Sequence, residues 1–153
     1  MVSRKKNIAR YIMIFALVFG SATLSAKAVT NVDAVPLSAL SREAVVNVRE
    51  ESNQFYRASG SFDMKISSGS IVASKDNQFP LEAGEIVTID AIYSPKTASV
   101  DFGVIAPDGY FYYIQVKNGS INKAIEVDER GYYTLAIRNN SSHEITVKGF
   151  VYY

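Results

Sequence analysis

The chain has 153 residues, a formal net charge of +1, 48% hydrophobic and 20% charged residues, 10 Tyr, 8 Phe, and neither Cys nor Trp. This length predicts one domain with at most a small appendage, and the apolar content excludes general disorder. The missing cysteine excludes a disulfide scaffold, a cysteine zinc site, a thiol nucleophile and a lipidated cysteine; a single histidine, His143, leaves little material for a metal cage or a catalytic triad.

The first 28 residues carry the pattern of a signal peptide. Arg4, Lys5, Lys6 and Arg10 form a basic start without an acidic residue, and residues 11–19 follow as an unbroken apolar run. Small residues come next, ending in Ala26-Lys27-Ala28. A basic segment, a short apolar segment and an A-x-A site predict export and cleavage between Ala28 and Val29, with a cut after Ala26 as the alternative. The apolar run falls short of the ~20 residues that span a bilayer, which argues against a membrane anchor. Cleavage removes five of the 16 basic residues and none of the 15 acidic ones, leaving eleven against fifteen and a net charge of −4. A net-acidic chain without basic clusters predicts no nucleic-acid partner.

Residues 29–54 read as an arm or linker. Leu37, Leu40, Ala44, Val45 and Val48 recur at helical spacing, while Ala44, Val46 and Val48 also alternate as in a strand, so a short helix and an extended arm both remain open. From Phe55 the period becomes two. Phe62, Met64 and Ile66 predict one buried strand face, with Ser61, Asp63 and Lys65 on the wet one. Further strands are expected over 70–74, 79–81, 85–92, 99–106, 110–117, 121–127, 132–138 and 145–151. Pro107-Asp108-Gly109 and Asn118-Gly119 are hairpin signals, because Pro presets φ and Gly accepts a positive one. About eight short strands at this spacing predict an all-β fold for residues 55–153: an antiparallel, jelly-roll-like sandwich of two sheets.

Two stretches carry a resemblance. Leu81-Glu-Ala-Gly-Glu-Ile-Val-Thr-Ile-Asp90 and Gly131-Tyr-Tyr-Thr-Leu-Ala-Ile-Arg-Asn139 resemble the opening and penultimate strands of secreted bacterial jelly-roll domains, the pre-peptidase C-terminal domains among them. Residues 55–153 are also similar to small secreted bacterial β-sandwich proteins without an assigned activity. The resemblance implies a fold and no catalytic residues, since the matched positions build strands and turns. Pre-peptidase-like domains accompany a peptidase, and no catalytic domain is expected in this chain.

Among outward positions, Phe111, Tyr113, Tyr132, Phe150 and Tyr152 form the expected ligand-binding set, an aromatic patch if their strands are neighbours; cross-strand stiffening or cover by the arm is the competing reading. Asp101, Asp108 and Asp128 lie near turns, but no dense acidic loop predicts calcium, and no metal or cofactor is expected. Asn118 and Asn139 start Asn-x-Ser triplets that read as turns. His143 sits between Ser142 and Glu144 on one loop, where the three cannot face each other as a triad requires; no G-x-S-x-G or H-E-x-x-H occurs. The expectation is therefore a secreted, non-catalytic module binding an extracellular glycan, cell wall or protein. The alternative is a self-associating surface protein in which the arm adds a strand to a neighbour's edge. A hydrolase using paired carboxylates ranks last.

Overall fold

The computed structural model describes residues 33–45, 49–50, 59–74 and 78–153. The expected leader over residues 1–28 lies outside them. Before the alternating region the chain forms β1 (Val35–Pro36), a 3-10 turn at Leu37–Ala39, β2 (Ser41–Ala44) and β3 (Arg49–Glu50). Nine strands follow: β4 (Ser59–Ile66), β5 (Ile71–Ala73), β6 (Phe79–Leu81), β7 (Ile86–Ser94), β8 (Val100–Ile105), β9 (Tyr110–Val116), β10 (Ser120–Glu126), β11 (Gly131–Asn139) and β12 (Ile145–Tyr152).

The strands pair into two sheets, ordered β1-β10-β7-β12-β4 and β2-β9-β8-β11-β5-β3, with β6 also on β11. This is the expected all-β, two-sheet sandwich. Pairing is antiparallel except at two outer positions, where β1 joins β10 and β3 joins β5 in parallel. β11 has β8 along one side; on its other side it takes β6 at residues 131–133 and β5 at residues 136–138. The described part of the 29–54 segment is thus extended rather than helical, apart from the single 3-10 turn. Leu37 in that turn is buried in the main core.

The core forms where the apolar parities of the two sheets face each other. Phe62, Met64 and Ile66 of β4, Val87, Ile89 and Ala91 of β7, and Val147 and Val151 of β12 pack with Val100, Phe102 and Val104 of β8 and Tyr133, Leu135 and Ile137 of β11. Each large side chain buried there contributes about 1.5–3 kcal/mol relative to exposure. Tyr133 carries its hydroxyl into this core and donates it to the carbonyl of Glu129, four residues upstream, at 2.8 Å. That bond pins the turn before β11 in the manner of a tyrosine corner. Burial first, and then the charges of Glu129 and Asp128, push the Tyr133 phenol up to about 12.

The outer face of the six-strand path is not the wet face that alternation predicts. Asp101 and Gly103, which alternate along β8 with the core residues Val100, Phe102 and Val104 and so point to the outer face, are both buried. Thr134 and Ala136 of β11 are buried as well. The reason is a second, smaller apolar cluster on this side: Ala73, Phe111 and Ala136, with Val45, Ile71, Ile105 and Tyr113 packed against it. Gly103 lies between Ala136 and Tyr113 in register. A Cβ there would run into the carbonyl oxygen of Tyr112, so the position tolerates only glycine at this approach.

Candidate functional site

The five aromatic positions fall into two groups on opposite outer faces. Phe111, Tyr113 and Tyr132 belong to β9 and β11; Phe150 and Tyr152 belong to β12 in the other sheet. The single contiguous patch expected from sequence is therefore absent. Alternation within a strand says which side chains leave the core, but it does not say which sheet receives the strand.

Phe111 is only 1% exposed. Its ring stacks on Tyr113 with centroids 5.2 Å apart and planes at 25°. The Arg138 guanidinium lies over both rings, 5.6 Å from the Phe111 centroid and 4.7 Å from that of Tyr113, a cation–π arrangement. Arg138 Nε donates to Asp101 Oδ2 at 2.8 Å, and Nη2 lies 2.7 Å from the same oxygen. Its Nη1 pairs with Glu43 of β2. Gln115 Nε2 donates to Asp101 Oδ1 at 3.2 Å. Register explains the set, because Asp101 sits directly across from Arg138 on one side and Gln115 on the other. Burial works against the guanidinium charge, but the bonds to Glu43 and Asp101 outweigh it and raise the Arg138 pKa above the usual arginine value. This face is a fastening for β2 and a lid on the second cluster, with its hydrogen-bonding groups turned toward each other.

Tyr132 is 64% exposed, separated from Phe111 by Thr134 and Ile105. Beside the β8–β9 hairpin, Tyr112 donates its hydroxyl to Asp108 Oδ2 at 2.6 Å and accepts from Arg42 Nη1 at 3.3 Å. The Asp108 bond is the chief cause that raises the Tyr112 pKa, opposed by Arg42. Asp108 also accepts from the Tyr110 backbone N–H at 2.9 Å. Asp101 and Asp108 thus spend their oxygens on protein donors. Among the described residues, no group of three or more His, Cys, Asp or Glu is placed to hold a metal ion.

The outer face of the five-stranded sheet differs. Phe150 and Tyr152 are 48% and 43% exposed, with ring centroids 6.2 Å apart and planes at 21°. The register sets Lys148 across from Ile92, Phe150 across from Asp90 and Tyr152 across from Thr88. Ile92 and Ile86, both exposed, therefore lie diagonal to Phe150 and Tyr152, within reach of long and aromatic side chains. An apolar stripe runs Ile92–Phe150–Tyr152–Ile86 along the seam between β7 and β12. Lys148 flanks it, paired with Asp63 at 2.8 Å. Sequence reasoning named the two aromatics and missed Ile92 and Ile86. Their outward parity on β7, opposite Val87, Ile89 and Ala91, was the available signal.

Asn139, whose triplet reads as a turn, is a buried hub. Its Nδ2 donates to the carbonyls of Ile66 at 3.0 Å and His143 at 2.7 Å, and its Oδ1 accepts from the Ser141 N–H at 2.9 Å and Oγ at 2.6 Å. His143 itself is exposed on that loop. β1, β2 and β3 pair within their own chain, as the outermost strands of the two sheets.

No protein-family model matches the chain, and no curated protein matches it. Among solved structures, it is similar to a periplasmic lysozyme inhibitor of g-type lysozyme, PliG from Aeromonas hydrophila. The TM-score is 0.50 at 14% identity, over 69% of this chain and 96% of that one. At that identity the likeness shows the fold alone. A family two carbohydrate esterase from Cellvibrio japonicus aligns with a TM-score of 0.29 at 14% identity, over 61% of this chain and 33% of the esterase, too low to carry an argument.

Proposed function

We propose that this chain is an exported, non-catalytic binding module, directed out of the cytoplasm by residues 1–28 and acting on an extracellular or envelope glycan or protein. The observation that carries the reading is the exposed stripe Ile92–Phe150–Tyr152–Ile86. Half-exposed aromatic rings beside a branched aliphatic chain on a rigid central seam lose little side-chain entropy on binding, and such anchors dominate contact energy. Phe111 and Tyr113 serve the fold instead. The jelly-roll likeness of residues 81–90 and 131–139 fits this reading, since those segments contribute strands rather than reactive groups.

The test is capture of the purified protein on isolated bacterial cell walls, compared with the Phe150→Ala/Tyr152→Ala double variant. Wild-type retention that the double variant loses, at unchanged far-UV circular dichroism, is the expected result. Equal retention of both proteins would remove the stripe from the proposal. A protein partner is the second reading, favoured by a fold likeness that spans nearly the whole of a lysozyme inhibitor. It predicts that the wild-type protein slows lysis of a cell-wall suspension by a g-type lysozyme and that the double variant does so less. Unchanged lysis at stoichiometric excess would end that reading.

A further inference from the structure

At one end of the apolar stripe a groove of about 460 Å³ opens between the β7–β8 and β9–β10 turns. Ile92, 64% exposed, belongs to its lining, together with Lys96, Asn118, Ser120, Thr146 and Lys148. A shallower depression of about 270 Å³ shares Ile92 and Lys148 and runs on past Asp90 to Phe150. The two form one track along the outer face of the five-stranded sheet. Lys96 is set in place by Gly119, which has φ +87° and on which an added Cβ would come within 2.6 Å of Lys96 Cγ. The lysine stem thus lies against a bare backbone, and the residue forms part of the wall of the groove.

The chemistry along the track is ordered. Two lysines, Lys96 and Lys148, and three small hydrogen-bonding side chains line one end. An acceptor-only carboxylate, Asp90, and the ring of Phe150 occupy the other, with Tyr152 next to Phe150 beyond it. A ligand using all of it needs a negative charge, several hydroxyls and an apolar face, and its size must suit a pocket of a few hundred Å³. The backbone argues against an extended peptide. β7 is paired with β10 and β12, and β12 with β7 and β4, so neither has a free edge for strand addition, which supplies the main-chain affinity of peptide recognition.

We propose that this track binds a carboxylate-bearing saccharide. The sugar carboxylate would sit between Lys96 and Lys148, hydroxyls would meet Ser120, Thr146, Asn118 and Asp90, and one ring face would lie on Phe150. Asp63 holds Lys148 meanwhile, and both side chains are more than half exposed, so the exchange of carboxylates costs little. The assignment rests on the reading of this face as the contact surface.

Titration calorimetry with three probes tests it: an oligogalacturonate, the same oligomer as its methyl ester, and an oligoglutamate of equal charge. The acidic saccharide is expected to bind, with the ester about tenfold weaker, as for loss of a charge-assisted bond. Lys96→Gln and Phe150→Ala should each weaken the acidic saccharide by a similar factor. Oligoglutamate binding as tightly as the saccharide would overturn the ligand class and leave only a charge effect. So would indifference to esterification, or no heat at millimolar saccharide. In that last case, the cell-wall capture experiment with Phe150→Ala/Tyr152→Ala separates the two levels: capture that depends on the rings keeps the contact face and discards the acidic saccharide, whereas ring-independent capture discards both.

Discussion

Replacing Asp101 with alanine removes the anchor of the fastening on the six-strand path. The carboxylate is 0% exposed and takes two contacts from Arg138 and one from Gln115. Its loss strands a cation whose side chain is only 19% exposed. Breaking a buried pair from one side typically costs 3–5 kcal/mol. Arg138 keeps Glu43 and two aromatic faces, which places the expected cost at the low end, about 3 kcal/mol. With a urea m-value of about 1.5 kcal/mol/M for a domain of this size, the unfolding midpoint should fall by about 2 M. Tyrosine fluorescence can follow the transition, since the chain has ten tyrosines and no tryptophan. Asp101→Leu/Arg138→Leu removes the stranded charge along with its partner and should regain most of the loss, ending within about 1 kcal/mol of wild type. A midpoint shift below about 0.5 M for the single variant, or a double variant no better than the single, would refute the account of a buried and mutually dependent pair.

Phe111→Ala should destabilise by about 3–5 kcal/mol as a deletion beneath the Arg138 lid, whereas Phe150→Ala should stay within about 1 kcal/mol; equal costs in chemical denaturation would contradict the two-face assignment. Asn139→Ala leaves the Ile66 carbonyl and the Ser141 N–H without their side-chain partner, while the His143 carbonyl keeps only the Ser141 hydroxyl, and should cost about 2–3 kcal/mol, with faster amide exchange at Ser141; unchanged exchange would argue against the hub. Tyr133 has its folded pKa raised from 10.0 to about 12. The native state holds that proton longer than the unfolded chain, so its contribution is complete below pH 10 and declines as pH rises toward 12. Tyr133→Phe, already weaker at neutral pH through the unpaired Glu129 carbonyl, should show a shallower alkaline decline in urea titrations; an identical slope would exclude Tyr133 as its source. Gly119→Ala should cost about 1–2 kcal/mol through its positive φ and shift the Lys96 side-chain resonances, and an unmoved Lys96 would show that the glycine does not seat it.

Much of the fold was legible because one face of most strands meets a core and the other meets water. β4 and β7 alternate cleanly, and the hairpins at Gly109 and Gly119 carry their turn residues. β11 was harder to read. Thr134, Ala136 and Arg138 look like a wet face, yet the second cluster buries the first two and seats the third against Asp101. A small residue or a paired charge fits either environment, so polarity alone cannot separate them. For β1, β2 and β3 the choice between helix and extended arm stayed open, because two to four residues show no decisive period. Their pairing is decided by partners far along the chain: Val35 meets Ile125, and Arg42 meets Tyr112. The candidate site was half legible for the same reason. Outward parity singled out Phe150 and Tyr152, but their separation from Phe111 and Tyr113 depends on sheet order, which no local pattern encodes.

The placement of β1 and β2 also imposes an order in time. These segments are the first of the sandwich to be synthesised, yet β1 needs β10 and β2 needs β9 before either has a partner. β2 must therefore wait until residue 113 has emerged and β1 until residue 126, and until then these two segments have no strand to pair with. Closure by such distant segments is slow, because a long loop must be ordered before any contact rewards it. A protein built this way is most vulnerable to edge-to-edge association while its last third is still being delivered. Removal of residues 33–45, which reach the main core only through Leu37 and the partly buried Leu40, should act mainly by leaving the β9 edge and the end of β10 open for good.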